Sequence, residues 1–530
     1  MSPKRKSTFP EKRNKKKKKK GLLGFTKRTN ILFFIKDLGD SSETDDETQD
    51  VDFEPENEQY EFKKVVRTRR RLRSNINDQD SEINRETFSN FNSNWADGIP
   101  YEILFQIFKL YASNLNGNIN ELNNLKKVCR NWSTVADDAK LWHNLKFSCL
   151  LDPELLTNTN DKITINQIIN KIDLKIKSLC LNTQFRLKFN YIRILNLSDV
   201  FYLTCDHLEL ILSNCNSKNI FDLSLANCKK LTCSTSNKLF ENVIGDYCEN
   251  LKFLNLSGLG KQINIVSLTY LFSKVNGKLL GLDLSLNSLP SNLVNALTSH
   301  CENLETLDIS KCVLKGNVQL ELISLKCKNF KCLKMYETFP KTKFNTITSV
   351  LASEISFPNL EEYYGSFYVN YGTCPMIMLT TKICKDSQKL KLMDLRCYKT
   401  SLDKNFNFFS LISSKNLEKL FLCNSMMSDI DSNYLYQAIE EKWFNSLIEL
   451  DLSWSTIDQR ALAKIFECFR LNSNKCKLEK LNLTGTTVDT DMIRMLVKEV
   501  KSLKQINLTS CRSIDRGMKK LIFKEEFQNL

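Results

Sequence analysis

The chain has 530 residues, with 76 Lys and Arg against 61 Asp and Glu and three His, for a formal charge of +15. With 42% hydrophobic residues it has material for a large core. Fifteen Gly and nine Pro exclude collagen-like and Gly/Pro-rich chains, and the apolar stretch 31–35 is far too short to cross a bilayer, which excludes a membrane-spanning reading.

Residues 1–93 alternate blocks of like charge: 4–20 is basic, 37–61 holds twelve acids and no base, and 63–73 holds seven bases. Such blocks repel internally and bury little, which predicts a disordered charged tail. Lys4, Arg5, Lys6, Lys12, Arg13, Lys15, Lys16, Lys17, Lys18, Lys19 and Lys20 form the charge a nuclear-import receptor or a nucleic acid would grip. Import is preferred over a merely solvated polycation, placing the protein in nucleus and cytoplasm, with nucleolar retention a second use of the same charge. Gly21, Gly24 and Thr26 weaken an amphipathic membrane-surface helix over 21–36, so no membrane partner is expected. The basic excess beyond the tail is spread out, which argues against specific nucleic-acid binding. No small-residue cleavage site follows the basic start, so no secretory signal is expected, and the nineteen Cys read as reduced thiols.

From residue 94 to 150 apolar residues appear at helical spacing. Pro100 suits a first helical turn, with Ile103, Leu104, Ile107, Phe108 and Tyr111 following as a stripe. Leu125, Val128, Cys129, Trp132 and Val135 make a second stripe, and Leu141, Trp142 and Leu145 a third. Three short helices are a small core, so part of this apolar surface is expected to meet a partner. Ile99-Pro100-Tyr101-Glu102-Ile103-Leu104, Ile107-Phe108, Val128-Cys129-Arg130-Asn131-Trp132 and Leu141-Trp142-His143 together resemble the F-box, with Ile99 in place of the usual Leu and a longer first loop over 114–120.

After a linker over 151–175, the spacing L-x-x-L-x-L recurs from 176 to 530. Copies start at Ile176, Ile192, Ile220, Leu251, Leu279, Leu304 and Phe330, a degenerate one at Leu360, then Leu390, Leu417, Leu447, Leu478 and Leu503. This is the leucine-rich repeat, and the expected fold is α/β: a horseshoe solenoid with a curved parallel sheet and outer helices, preceded by a three-helix F-box and the tail. At ~4.8 Å per strand the inner surface would be about 60 Å long, enough for a folded partner. The charged run 519–526 is expected to cap the open end.

Cys228, Cys312 and Cys511 fall eight residues after a repeat start, as does Asn287, while Cys248, Cys301 and Cys327 fall three before one. Buried thiols making weak hydrogen bonds in the turns explain this period, and no Cys-x-x-Cys suggests a metal. His143, His207 and His300 have no Ser or Cys partner in view and read as structural. Gly258-Leu259-Gly260-Lys261 fails as a phosphate loop because Asn255 and Gln262 stand where Gly and Ser or Thr are needed. No catalytic residue, cofactor or metal is expected.

The residues between the strand aliphatics point to the concave face, and most are Asn, Asp or Ser. Lys334, Tyr336, Glu362, Tyr364, Phe367, Tyr368, Arg396, Phe421 and Trp454 depart from that rule and are the candidate substrate-binding residues; repacking of an irregular repeat is the competing explanation. The resemblance to F-box and leucine-rich-repeat proteins implies a non-catalytic substrate receptor of an SCF-type cullin-RING ubiquitin ligase. By that resemblance Ile99, Pro100, Ile103, Leu104, Ile107, Phe108, Val128, Cys129, Trp132, Leu141 and Trp142 would dock on, or support the surface that docks on, the S-phase kinase-associated adaptor. Pro100, Ile103, Leu104, Ile107 and Phe108 are the expected direct contacts. The adaptor links to cullin and RING subunits, and the substrate is an unidentified protein. A ligase-independent nuclear or nucleolar scaffold is the alternative.

Overall fold

A computed structural model of the chain describes residues 99–114, 117–232, 243–259, 265–290, 292–314, 320–338, 354–366, 374–398 and 406–529. The charged tail, the import segment 4–20, Phe367 and Tyr368 lie outside the described residues. Helix α1 (Tyr101–Asn114) buries Leu104, Phe108 and Ala112 at i, i+4 and i+8. Helices α2 (Asn120–Leu125) and α3 (Arg130–Ala136) close that core with Leu122, Leu125, Val135 and Ala136. Cys129 starts α3 as its N-cap, its sulfur accepting the Trp132 N–H at 3.5 Å.

The module does not end at a linker. Its closing residues form β1 (Asn144–Lys146), the first strand of a fourteen-stranded sheet among the described residues. Trp142, Leu145 and Phe147 repeat the 0/+3/+5 spacing with aromatics at both ends, and all three are buried. The long first loop is held to this strand: Lys146 N–H donates to Gly117 O at 2.9 Å. Gly117 has φ of +78°, and a Cβ there would lie 2.6 Å from Lys146 N, so only glycine fits.

The expected first repeat, Ile176/Leu179/Leu181, is corrected. It lies in the long helix α4 (Lys162–Leu181), which also replaces most of the expected linker. Ile168, Ile172, Ile176 and Leu179 form one buried stripe at period 3.6, whereas Leu181 is exposed. A short helix, α5 (Thr183–Phe189), then leads to β2 (Ile194–Asn196).

The sheet continues through β3 (Asp222–Ser224), β4 (Phe253–Asn255), β5 (Gly281–Asp283), β6 (Thr306–Asp308) and β7 (Cys332–Met335). It runs on through β8 (Glu362–Ser366), β9 (Leu392–Arg396), β10 (Lys419–Phe421), β11 (Glu449–Asp451), β12 (Lys480–Asn482) and β13 (Gln505–Asn507). Strands β1 to β13 are parallel, and the central core residues align strand to strand, as Leu145 on Leu195, Leu223 on Leu254 and Leu450 on Leu481 show. In the degenerate copy Tyr363 takes this place between Leu333 and Met393, fully buried, with its hydroxyl 3.0 Å from that of Thr380. The charged C-terminal run caps the edge as expected: β14 (Leu521–Phe523) pairs antiparallel to β13.

Strands β2 to β7 and β9 to β13 end in the same turn. The residue seven after the repeat start is left-handed, as at Asp199, Asn227, Gly258, Leu286, Lys311 and Trp454. One residue later, in several copies, a buried side chain closes the turn by donating to a carbonyl: Cys228 Sγ to Leu197 O and Cys312 Sγ to Leu284 O, each at 3.1 Å, and Cys511 Sγ to Leu483 O at 3.0 Å; Val200 and Leu259 fill the place with apolar side chains instead. Thr338 and Thr486 do the same at 2.9 and 2.7 Å. Asn287 does most: its amide donates to Leu256 O, Leu284 O and Ser285 O, and its carbonyl accepts from Leu259 N–H at 3.0 Å. Asn287→Ala, which orphans several buried backbone groups, should therefore cost about 2–4 kcal/mol, against at most about 1 kcal/mol for Cys312→Ser, measured as the shift in denaturant midpoint.

Candidate functional site

Two surfaces are candidates for function. The first is the outer flank of the F-box. Ile103, Ile107 and Leu110 recur along α1 at helical spacing, 55%, 42% and 52% exposed, and Pro100 and Val128 are exposed as well. Large apolar side chains left open together on one short module mark an interaction surface. Asn131 fixes the approach to α1, its side-chain amide donating to Ile99 O at 3.1 Å.

Two expected direct contacts are corrected. Leu104 and Phe108 are each 1% exposed, and Phe108 packs edge-on to Trp132 with ring centres 5.2 Å apart. Both belong to the module's own core, as do buried Leu141 and Trp142. Ile99, Cys129 and Trp132 are half-buried and support the flank from behind. Helix α1 is apolar on two faces, and only the packing decides which one is covered.

The junction behind the flank is held by charge and ring contacts. Lys188 of α5 reaches back into the F-box, its ammonium 2.9 Å from Asp137 Oδ1 and 4.4 Å from the centre of the Trp142 ring. Lys126 pairs with the same carboxylate. Burial works against the Asp137 carboxylate, but the two lysines outweigh it and hold its carboxyl below the usual range. Burial also holds the Lys188 ammonium below its ordinary value.

The second surface is the concave face at β7 to β9, where several of the expected substrate residues come together. The Tyr336 hydroxyl donates to Asp394 Oδ2 at 2.5 Å, and Arg396 Nε donates to the same oxygen at 3.0 Å. The Arg396 guanidinium lies 5.4 Å from the Tyr336 ring centre, and Lys334 Nζ 5.0 Å from that of Tyr364. Tyr364 donates to Glu362 Oε2 at 3.0 Å. Asp394 was missed from sequence because it stands where strand Asx residues usually cap the turn. Burial, then the bond to Asp394, pushes the Tyr336 hydroxyl far up, so it stays a proton donor.

Phe421 is half-buried on the neighbouring strand. Trp454 falls outside this network, on the turn after β11, 55% exposed, left-handed at φ +56° and stacked over Gly485. Among the described residues no group of His, Cys, Asp and Glu could hold a metal ion, and no helix is long and apolar enough to cross a membrane. His207 serves in a capping box with Thr204, a structural role. Gly258 supplies the left-handed turn position, while Gly260 and Lys261 lie outside the described residues.

Lys188→Ala removes the cation packed on Trp142 while half-exposed Asp137 keeps Lys126, and should loosen the F-box by about 1–2 kcal/mol, read as faster amide exchange in α1 and α3 than in the wild type. Because the Asp137 carboxyl is held low, its contribution is present above the ordinary carboxylate range and lost as pH falls through the depressed value. Acid should therefore release the F-box helices first, and this extra sensitivity should vanish in Asp137→Asn.

The F-box-like family matches residues 96–148. Putative F-box/LRR-repeat protein 22 of Arabidopsis thaliana is 25% identical over 255 residues, covering 45% of this chain and 77% of its own length. F-box protein SKIP19 of the same plant is 25% identical over 251 residues, covering 43% and 73%. Among solved structures, that of the Rad7 and Elc1 complex in yeast aligns with 75% of this chain and 92% of its own, at 19% identity and a TM-score of 0.43. With an F-box-like module over 96–148 continuous with a leucine-rich sheet, and one relative named for both elements, this chain is similar to the F-box and leucine-rich-repeat proteins.

Proposed function

We propose that this protein is the substrate-recognition subunit of an SCF-type cullin-RING ubiquitin ligase. The F-box flank holds the S-phase kinase-associated adaptor, and the repeats hold a protein destined for ubiquitination and proteasomal degradation. The observation that carries the reading is the exposed apolar face of α1, on a module whose own β1 begins the repeat sheet. The role is positional: a substrate held on the sheet meets activated ubiquitin at an effective concentration up to the millimolar range when the linkage geometry fits. No cofactor and no catalytic residue of this chain enters the scheme. The basic segment 4–20 is assigned to nuclear import in the same proposal. Within the family, the order of basic tail, F-box and long array most resembles F-box/leucine-rich repeat protein 6.

The test uses surface rather than core. Ile103→Asp combined with Ile107→Asp places charge on two exposed positions, so the melting temperature should move by no more than a few degrees. Affinity capture under proteasome inhibition should then lose adaptor and cullin while substrates remain bound. Adaptor retained at wild-type level would refute the docking surface and leave the ligase-independent scaffold. Phe108→Ala is unsuitable as a probe, because truncating this core ring should itself cost about 3–5 kcal/mol.

A further inference from the structure

The concave face is not uniform in charge. The chain as a whole carries +15, yet the residues facing inward from β3 to β6 include Asp222, Asp283 and Asp308 and no Lys or Arg. Asp283 and Asp308 stand directly opposite each other on neighbouring strands, an unfavourable arrangement for two like charges unless a cation joins them. Lys334, the next residue in this row, lies over the Tyr364 ring and borders the same depression, so one cation serves the Asp283–Asp308 pair from one side only. Among the described residues no cation pairs with Asp222.

Between these carboxylates the surface is built differently from the rest of the sheet. Gly281 occupies a strand position whose neighbours on either side are Phe253 and Thr306. A Cβ at 281 would lie 2.6 Å from Phe253 Cδ1, so the missing side chain is what lets the ring lean across the strand. The residue is 39% exposed in a depression whose charged lining is Asp222, Asp283, Asp308, Glu361 and Glu362 against Lys331 and Lys334, an excess of acid. An aromatic surface open to solvent and flanked by carboxylates has the complementarity of one side chain in particular. Arginine is planar, stacks on aromatic rings, and presents donors along its edge to carboxylate oxygens.

We propose that this depression is a recognition pocket for an arginine side chain in an extended segment of the substrate, stacked on Phe253 between Asp222 and the Asp283–Asp308 pair. The assignment rests on the substrate-receptor reading for the identity of the ligand as substrate, and adds its chemistry. It is separate from the Tyr336–Asp394–Arg396 network, whose cation is already matched by a carboxylate. Burial pushes the Asp222 and Asp283 carboxyls up, and at Asp283 it outweighs the hydrogen bonds from Ser285 and the charge of Lys334.

The experiment measures fluorescence anisotropy of a fluorescein-labelled Gly/Ser dodecapeptide carrying three arginines, titrated with the full chain at physiological salt. The same peptide with lysine or with neutral citrulline at the three positions serves for comparison. Arginine should bind best and citrulline about tenfold weaker or worse. Phe253→Ala should weaken the arginine peptide about threefold, and Asp222→Asn with Asp283→Asn about tenfold. Asp429→Asn with Glu525→Gln, which removes two exposed acids elsewhere, should change nothing. Equal losses in that control, or no effect of Phe253→Ala, would overturn the pocket in favour of diffuse attraction. An affinity that rises about tenfold or more on deleting residues 1–36 would also overturn it, because the chain's own basic segment would then be the occupant. Adaptor retention is read on the same samples: peptide loss with adaptor kept in the wild type sinks the pocket alone. Specific peptide binding without adaptor supports the pocket while sinking the ligase reading.

Discussion

Each strand of the sheet, three to five residues long, is too short to hide its own apolar side chains, and the stack is organised by the need to lay the next strand on them. The aligned row from Leu145 to Ile506 is the result: one aliphatic or aromatic per repeat, each covering the last. The array must therefore start and stop on something other than a repeat. At the C-terminal edge an antiparallel strand with charged neighbours ends the sheet. At the N-terminal edge the F-box does so, by lending Trp142, Leu145 and Phe147 to the first layer.

That arrangement makes the F-box part of the solenoid. A freely hinged module would sample many orientations, which dilutes any benefit of holding a substrate near a second site. Here β1, the Gly117 contact and the Lys188–Asp137–Trp142 clasp leave little freedom between α1 and the sheet. The exposed face of α1 is thus presented in a fixed relation to the concave surface, which is what a positional mechanism requires.

Much of this was legible in the sequence, because the repeat spacing is a direct record of strand geometry. The eighth-position rule held in part and widened: Cys228, Cys312 and Cys511 share their task with Thr338, Thr486 and Asn287, while Val200 and Leu259 fill the same place with apolar side chains. The failures have physical causes. Ile176/Leu179/Leu181 matches the repeat template locally, but Ile168 and Ile172 extend it at helical period, and the longer register wins. The true first strand was hidden by aromatics in place of leucines. Ile107 and Phe108 are adjacent in sequence and equally apolar, so pattern alone could not say which faces out. The Tyr336–Asp394 bond joins residues two strands apart, and no linear spacing reports it.

The thiol positions carry a last implication. Burial pushes Cys228, Cys248, Cys301 and Cys312 up to about 12, so they are almost entirely protonated at neutral pH and unreactive towards alkylating agents and oxidants while the stack is closed. Any separation of neighbouring layers would return the exposed sulfur to ordinary reactivity. The solenoid therefore carries its own set of chemical gauges, spaced along its length, through which local fraying at one layer can be told from fraying at another.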